Sequence, residues 1–313
     1  MRPTGLGMLT LLAVLAANEG VLARDNWQSA HFQDHELVGK TFLKPGGQQL
    51  TLDQVKHRAV QAQFVLLGEI HTNPDHHRLQ AEILQHMVDK GRRPAVVIEM
   101  ITRAQQPVLD FFAANPPDNA DDIANRLEWN TSGWPDFAMY KPIFEIALKN
   151  RLPLHAGNLE MSTVRRLGGR VGSRLGDDER TQLGLNEPVD KEMGKAFLED
   201  IAEAHCNMLP ETILPLMVDI QRARDHVMAS ALLNPANRDG AILIAGAGHT
   251  RVDWGVGALV NNDDPQRLLS VAFMEVFEGA KQDDFTKPSH HVAVVTPRFE
   301  IKDHCVVLRE KKT

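Results

Sequence analysis

This 313-residue chain is poor in aromatic residues and in cysteine, and its acidic residues outnumber its basic ones. Aromatic side chains make up 5% of it, Tyr140 is its single tyrosine, and its two cysteines are Cys206 and Cys305. The formal net charge of −7 argues against binding to nucleic acid, which normally requires a basic surface. The two cysteines could pair in an oxidising compartment, but two residues so far apart in sequence do not by themselves predict a disulfide.

Motifs that define several enzyme classes are also lacking. The sequence contains no G-x-S-x-G elbow, no phosphate-binding P-loop and no C-x-x-C pair. The Gly-Ala-Gly-His segment at 246–249 is not a dinucleotide fingerprint, because the third spaced glycine and the later acidic residue are missing. These absences argue against serine hydrolases, NTPases and thioredoxin-like proteins.

The first residues have the features of a secretory signal peptide. Arg2 supplies positive charge, residues 6–17 are apolar, and Val21-Leu22-Ala23 resembles a small-residue cleavage site. The apolar stretch is short for a membrane span, and no cysteine follows it for lipid attachment. We therefore expect residues 1–23 to be removed and the protein to be exported, either to the periplasm or out of the cell.

Three apolar runs, at 64–71, 95–100 and 241–249, have acidic or imidazole side chains at or near their ends. Each run is rich in β-branched residues and bounded by Gly, Pro or Asn, which is typical of a short buried strand. Open α/β sheets bind ligands beyond the carboxyl ends of their strands. We expect four candidate catalytic residues to converge there: Glu69, His71, Glu99 and His249.

The remaining pattern predicts an α/β fold with a mostly parallel central sheet flanked by helices. We expect a sheet domain made of residues 24–101 and 240–313, split by a large, mainly helical insertion at 102–239. The predicted elements are a hairpin around 45–47, helices at 52–62 and 74–90, strands at 64–70, 94–100, 152–156, 241–247, 268–277 and 291–296, an edge strand at 304–309, and insertion helices at 105–115, 120–130, 142–150, 190–205 and 210–233.

The strand-end residues allow more than one interpretation. Charged groups at the end of a buried strand need partners, so the acids and imidazoles could form a purely structural ion-pair network. They could equally bind a divalent metal, or act as a general base that activates water. The spacing of His71, His76 and His77 is not a standard zinc signature.

The insertion contains a second group of candidate residues. Aromatic and methionine side chains at helical spacing are typical of a protein core, but a flat apolar macrocycle also requires such walls, together with a phenolate or imidazole for iron. The candidates for this haem-like surface are Tyr140, His205, Met208, Met217 and Arg224.

An ordered set of motifs resembles the ChaN-like family of haem-binding, iron-regulated bacterial proteins, within a wider superfamily that includes Tiki-type metalloproteases and erythromycin esterase-like hydrolases. The matching segments are 67–77, 98–100, 105–107, 133–134, 140–142, 156–159, 221–225, 228–229 and 245–249.

The resemblance implies an exported haem-binding protein in haem and iron acquisition, with tyrosine ligation of iron and a homodimer that encloses the haems. The ligand role would fall to Tyr140, the single tyrosine, or pass to a histidine such as His205. His205 would lie across the haem, Met208 and Met217 would line its walls, and Arg224 would lie near its propionates. An outer-membrane haem receptor or transport components are the partners that this implies.

The wider superfamily implies an alternative at the strand ends. There, residues similar to Glu69, His71, Glu99 and His249 are metal ligands or a general base, so a metal-dependent hydrolase of esterase or peptidase type remains open. The resemblance as a whole favours haem binding over an enzyme.

Overall fold

The computed structural model describes residues 27–169, 174–260, 267–287, 289–300, 305–306 and 309. Within them, eight strands form one sheet in the order β2-β1-β8-β7-β3-β6-β4-β5. β1 pairs antiparallel with β2 and β8, and the other neighbours are parallel, so the predicted mostly parallel sheet is confirmed. The strands are β1 Thr41–Leu43, β2 Gln48–Leu50, β3 Phe64–Glu69, β4 Ala95–Thr102, β5 Leu154–Asn158, β6 Ala241–Gly246, β7 Leu268–Glu275 and β8 Val292–Thr296.

Helices flank this sheet, and several begin at the caps that the sequence predicts. The Asn73 side chain accepts a hydrogen bond from the Asp75 amide, and Pro74 occupies the first turn of the second helix. The helices are α1 Leu52–Gln61, α2 Pro74–Asp89, α3 Gln106–Ala114, α4 Asp121–Arg126, α5 Phe137–Lys149, α6 Met161–Leu167, α7 Asp177–Gln182, α8 Lys191–Ala204, α9 Leu214–Leu232 and α10 Val256–Val260.

The core lies on both faces of the sheet. One face packs Val65, Leu67 and Ile98 against α1, α2, α3 and α5. The opposite face packs Leu66 and Val97 against α9 and α10. The segment 102–239 therefore covers both faces and adds β5 to the sheet edge, where it pairs with β4.

The topology places the three motif-bearing strands side by side. β6 lies between β3 and β4 and is parallel to both, so Glu69 pairs in register with Gly246. Every residue of β3 and β6 is buried. Parallel neighbours end at the same edge of a sheet, so this arrangement brings the polar strand ends together.

Three local predictions are wrong. Pro142 does not begin a helix but lies inside α5, which starts at Phe137 because the Asp136 side chain caps it through the Ala138 amide. The strand predicted at 152–156 forms two residues later. In the range 304–309, where an edge strand is predicted, the described residues Cys305, Val306 and Arg309 are helical; β1 and β2 form the antiparallel edge instead.

Cys206 and Cys305 form a disulfide with their Cα atoms 5.4 Å apart. It links the end of α8 to the carboxyl-terminal region of the chain. None of the helices in the described residues is both long and apolar enough to cross a membrane. The predicted signal peptide at 1–23 lies outside the described residues.

Candidate functional site

The four predicted strand-end residues converge as expected. The His71 Nδ1 lies 2.8 Å from Glu69 Oε1, and its Nε2 lies 3.8 Å from Glu99 Oε2. The His249 Nε2 lies 3.3 Å from Glu99 Oε1. We call Glu69, His71, Glu99 and His249, together with the Tyr140, His77, Gln80 and Asp225 side chains that contact them, the carboxyl-end cluster.

Glu69 is the most heavily bonded member of the carboxyl-end cluster. Its Oε1 accepts from the Tyr140 hydroxyl at 2.8 Å and from His71, while its Oε2 accepts from the Gln80 amide at 2.6 Å. The Nδ1 of His77 lies 3.2 Å from the same Oε2. Burial alone would raise the pKa of Glu69, but the charges and hydrogen bonds of His77 and His71 hold it well below its ordinary value.

Glu99 and His249 form the second ion pair of the carboxyl-end cluster. The Gly246 amide donates to Glu99 Oε2 at 2.7 Å. Burial would raise the pKa of Glu99, but His249, His71 and this amide lower it to about 2. Burial would likewise lower the pKa of His249, but the carboxylates of Glu99 and Asp225 raise it to about 10. His249 is therefore an imidazolium held between two acids at neutral pH.

Asp225 extends this pair away from the strand ends. It lies on α9, and its Oδ1 is 2.6 Å from His249 Nδ1. Burial raises the pKa of Asp225 to about 6, although the charge of His249 opposes the rise. Its Oδ2 is buried without a hydrogen-bond partner among the described residues. The acid consequently fixes the orientation of the His249 ring from the side opposite to Glu99.

Gly246 allows the two ion pairs to approach each other. A Cβ atom at this position would lie 3.0 Å from His71 Nε2 and 3.6 Å from Glu99 Oε2. A side chain here would push the imidazole away from its carboxylates. The glycine in the Gly-Ala-Gly-His segment thus serves close approach rather than phosphate binding.

His71 is the most exposed of the four predicted strand-end residues. Its side chain is 31% exposed, against 0% for Glu69, 3% for Glu99 and 7% for His249. The ring of Trp134 packs edge-on against it, with 5.0 Å between centroids. His71 is therefore the member of the group that an external ligand can reach.

The neighbouring histidines of α2 have opposite charge states. His76 is buried; its Nδ1 accepts from the Ile70 amide and its Nε2 donates to the Thr296 hydroxyl, which requires a neutral ring. Burial lowers the pKa of His76 to about 3. His77 donates from Nε2 to the His71 carbonyl while its Nδ1 faces Glu69, so this ring is protonated. Neither histidine is available to an external ligand.

The structure places the predicted iron ligand Tyr140 beside Glu69. This phenol is 1% exposed and donates its proton to Glu69, and His77 and Trp129 pack against the ring. Burial and the adjacent carboxylate raise the pKa of the Tyr140 hydroxyl, which opposes formation of the tyrosinate that iron would bind. Tyr140 belongs to the carboxyl-end cluster and supports Glu69.

The other predicted haem residues lie elsewhere. Tyr140 belongs to the core on the α1, α2 and α5 face, whereas Met217 and Arg224 are on α9, which covers the opposite face. His205 follows α8, and its Nδ1 is 2.8 Å from the Ile201 carbonyl. Met217 packs beside Phe197 and Trp254. The structure does not bring Tyr140 together with His205, Met208, Met217 and Arg224.

The described residues offer no support for a divalent-metal centre. No group of three or more His, Cys, Asp or Glu side chains among them is arranged to hold a metal ion. The acids and imidazoles at the strand ends pair with one another instead, as in the ion-pair network that the sequence allows.

Sequence reasoning missed three partners in the carboxyl-end cluster. Gln80 and His77 are three residues apart on α2 and so face the same side of the helix. Asp225 lies among buried apolar residues of α9, such as Val218, Ala229 and Leu232. An acid on an apolar helical stripe requires a partner, and that signal was available from the sequence.

Comparison with known proteins identifies the family and the fold. The family model described as haem-binding uptake, Tiki superfamily, ChaN, matches residues 55–260. The structure titled as cofacial heme binding to ChaN of Campylobacter jejuni is 18% identical, covers 81% of this chain and 95% of that one, and superposes with a TM-score of 0.64. This structural similarity shows that the two proteins share a fold.

More distant similarities also appear. The type III effector HopBA1 is 12% identical over 79% of this chain and 93% of its own, with a TM-score of 0.42. A mutant of the erythromycin esterase EreC in its open conformation is 12% identical over 79% of this chain and 78% of its own, with a TM-score of 0.39. The search of curated proteins found no match. Because the family model spans more than half of its length, this chain belongs to the ChaN family of haem-binding uptake proteins in the Tiki superfamily.

Proposed function

We propose that this protein binds haem and acts in haem and iron acquisition. Membership of the haem-binding uptake family carries the proposal. The solved ChaN of Campylobacter jejuni, described as showing cofacial heme binding, shares the fold. The carboxyl-end cluster, with its partly exposed imidazole, gives the proposal a specific position in this chain.

His71 fits the role of iron ligand better than Tyr140. A haem iron accepts an imidazole nitrogen, and a carboxylate on the other ring nitrogen commonly orients such a ligand and raises its basicity. Glu69 Oε1 lies 2.8 Å from His71 Nδ1, which leaves Nε2 on the other side of the ring. Ligation requires His71 to give up a proton, because the carboxylates of Glu99 and Glu69 raise its pKa despite its burial.

The surroundings of His71 also suit an apolar macrocycle with acidic side groups. Trp134 lies against the His71 ring. Ile70, the preceding residue, lines a crevice of about 330 Å³ together with Phe277 and Arg298. Ile70 is 38% exposed and Phe277 is 42% exposed. These apolar surfaces can cover a porphyrin face. The Arg298 Nε already faces Glu275, another residue of the crevice, so the terminal nitrogens of the guanidinium are the ones that can donate to a propionate.

Export and dimerisation complete the proposal. The signal-peptide pattern at 1–23 supports a mature chain in the periplasm or outside the cell. The Cys206–Cys305 disulfide supports this location, because disulfides persist in oxidising compartments. A homodimer would shield the haems, and an outer-membrane receptor or transport component would deliver or receive them. Edman sequencing of the exported protein tests the location, with Arg24 the expected first residue.

A haemin titration of the mature protein tests the haem proposal. We expect saturable binding with about one haem per chain and a change from monomer to dimer in light scattering. His71→Ala should weaken binding at least about tenfold, and added imidazole should restore the lost ligand. His205→Ala is the matched control, since it removes a half-buried histidine outside the carboxyl-end cluster. Non-saturable binding in the wild type would contradict the proposal, and loss of binding only in His205→Ala would move the haem to α8 and α9.

A further inference from the structure

A second cavity lies at the end of the sheet opposite to the carboxyl-end cluster, where β7 and β8 begin. It has a volume of about 610 Å³. It opens where Lys44 follows β1, where β7 begins at Leu268, and where His291 immediately precedes β8; Arg58 and Gln61 of α1 line one wall. We call this space the amino-end cavity.

The amino-end cavity has an unbalanced charge. Its basic and amide donors come from Lys44, Arg58, His291 and Gln61, whereas the rest of its lining is apolar. None of the described residues that line it is acidic. Cationic side chains that line a space without carboxylates attract an anion.

Lys44 carries most of this argument. The residue is only 7% exposed, and among the described residues its Nζ has neither an ion-pair nor a hydrogen-bond partner, although this atom keeps some contact with solvent. A buried charge without a partner is costly, so such residues normally pair with an opposite charge. Burial and the nearby Arg251 lower the pKa of Lys44 to about 8, which reflects the missing counter-charge.

His291 and Arg58 add donors that remain available. The Nδ1 of His291 accepts from the Ser270 amide at 3.1 Å, so the neutral ring carries its proton on Nε2. No described residue accepts from this Nε2 or from the exposed Arg58 guanidinium. Both groups can therefore donate to a ligand in the amino-end cavity.

We propose that the amino-end cavity binds a small organic anion, whose phosphate or carboxylate group is held by Lys44, Arg58 and His291. Leu43, Leu268 and Leu269 line the same space and supply contacts for an apolar portion. The planar guanidinium can bind either oxyanion in a bidentate manner. This site is separate from the carboxyl-end cluster.

Calorimetric titration with inorganic phosphate, and separately with acetate, tests the proposal on the full mature chain. We expect saturable binding of at least one of the two probes. Lys44→Met should weaken that binding at least about tenfold, while Lys149→Met, which removes an exposed lysine at the end of α5, should leave it unchanged. The probe that binds more tightly identifies the head group.

A second variant keeps the test decisive if Lys44→Met does not fold. Arg58→Gln changes an exposed side chain on α1 and should weaken the same probe several-fold without loss of folding. Failure of both probes to saturate the wild type would overturn the proposal. Equal affinities in the wild type and in whichever cavity variant folds would also overturn it.

Discussion

The two ends of the central sheet use charge in opposite ways. At the carboxyl end, Glu69 and Glu99 pair with imidazoles that are protonated because of them. At the amino end, Lys44, Arg58 and His291 line one cavity that has no acid among its described lining residues. The carboxyl-end cluster satisfies its own charges, whereas the amino-end cavity leaves its charge for a ligand to neutralise.

This difference separates two uses of buried polar groups. A paired network fixes side-chain positions, because the loss of one partner leaves the other charge buried. The carboxyl-end cluster therefore orients His71, its most exposed predicted member. An unpaired charge has the opposite effect, because it lowers the stability of the fold and provides affinity for an anion.

The largest expected effect comes from breaking the paired end. Glu69→Gln removes a buried charge that faces two imidazoles and should reduce the free energy of unfolding by about 3–5 kcal/mol. Glu82→Gln breaks partly exposed ion pairs with Lys56 and Arg78 and should cost at most about 2 kcal/mol, or about 1 kcal/mol for each pair. Urea denaturation measures both variants. Similar losses would show that the network does not stabilise the fold.

Removing charge at the unpaired end should have the opposite sign. In anion-free buffer, Lys44→Met should increase the free energy of unfolding by at most about 1 kcal/mol, because a partly solvated ammonium without a counter-charge, close to Arg251, is removed. The same denaturation experiment measures it, with Lys149→Met as the surface control. A loss of stability in Lys44→Met alone would mean that this ammonium has a stabilising partner.

The two ends should also respond oppositely to alkaline pH. The pKa of His249 is raised to about 10, so its contribution to stability is complete below about pH 6.5 and is lost as the pH rises through 10. The pKa of Lys44 is lowered to about 8, so its cost is complete below pH 8 and disappears by about pH 10.5. Between pH 8 and 10, Lys44→Met should therefore lose stability more steeply than the wild type, and His249→Gln less steeply. Parallel pH profiles for all three proteins would contradict both assignments.

The smallest effect is a difference in protonation without a change in stability. At pH 7, His77 should be doubly protonated, because it donates to the His71 carbonyl and faces Glu69. His291 should be neutral, because burial lowers its pKa and its Nδ1 accepts from the Ser270 amide. Imidazole ¹⁵N chemical shifts distinguish the two forms, and the reverse assignment would refute the charge contrast.

The sequence predicts the part of this arrangement that depends on strand pattern. The apolar runs locate β3, β4 and β6, and polar residues at their ends predict that Glu69, His71, Glu99 and His249 meet. The Asn73-Pro74 cap likewise predicts the start of α2. These signals are local, because a few neighbouring residues set both the apolar pattern of a strand and the cap of a helix.

The remaining partners depend on contacts between distant segments. Tyr140 and Glu69 are 71 residues apart, and their hydrogen bond requires α5 to pack beside β3. Nothing local distinguishes such a phenol from an iron ligand. The amino-end cavity draws Lys44, Arg58 and His291 from three separate segments, so its charge imbalance appears only in three dimensions.

The visible spectrum of the haem complex in His71→Ala and Tyr140→Phe tests the central claim most directly. We predict that Tyr140→Phe keeps the wild-type Soret and charge-transfer bands, because the phenol supports Glu69 without contacting iron. His71→Ala should lose those bands until imidazole is added. Loss of the bands in Tyr140→Phe, with an unchanged spectrum in His71→Ala, would contradict this account and restore the tyrosine as the iron ligand.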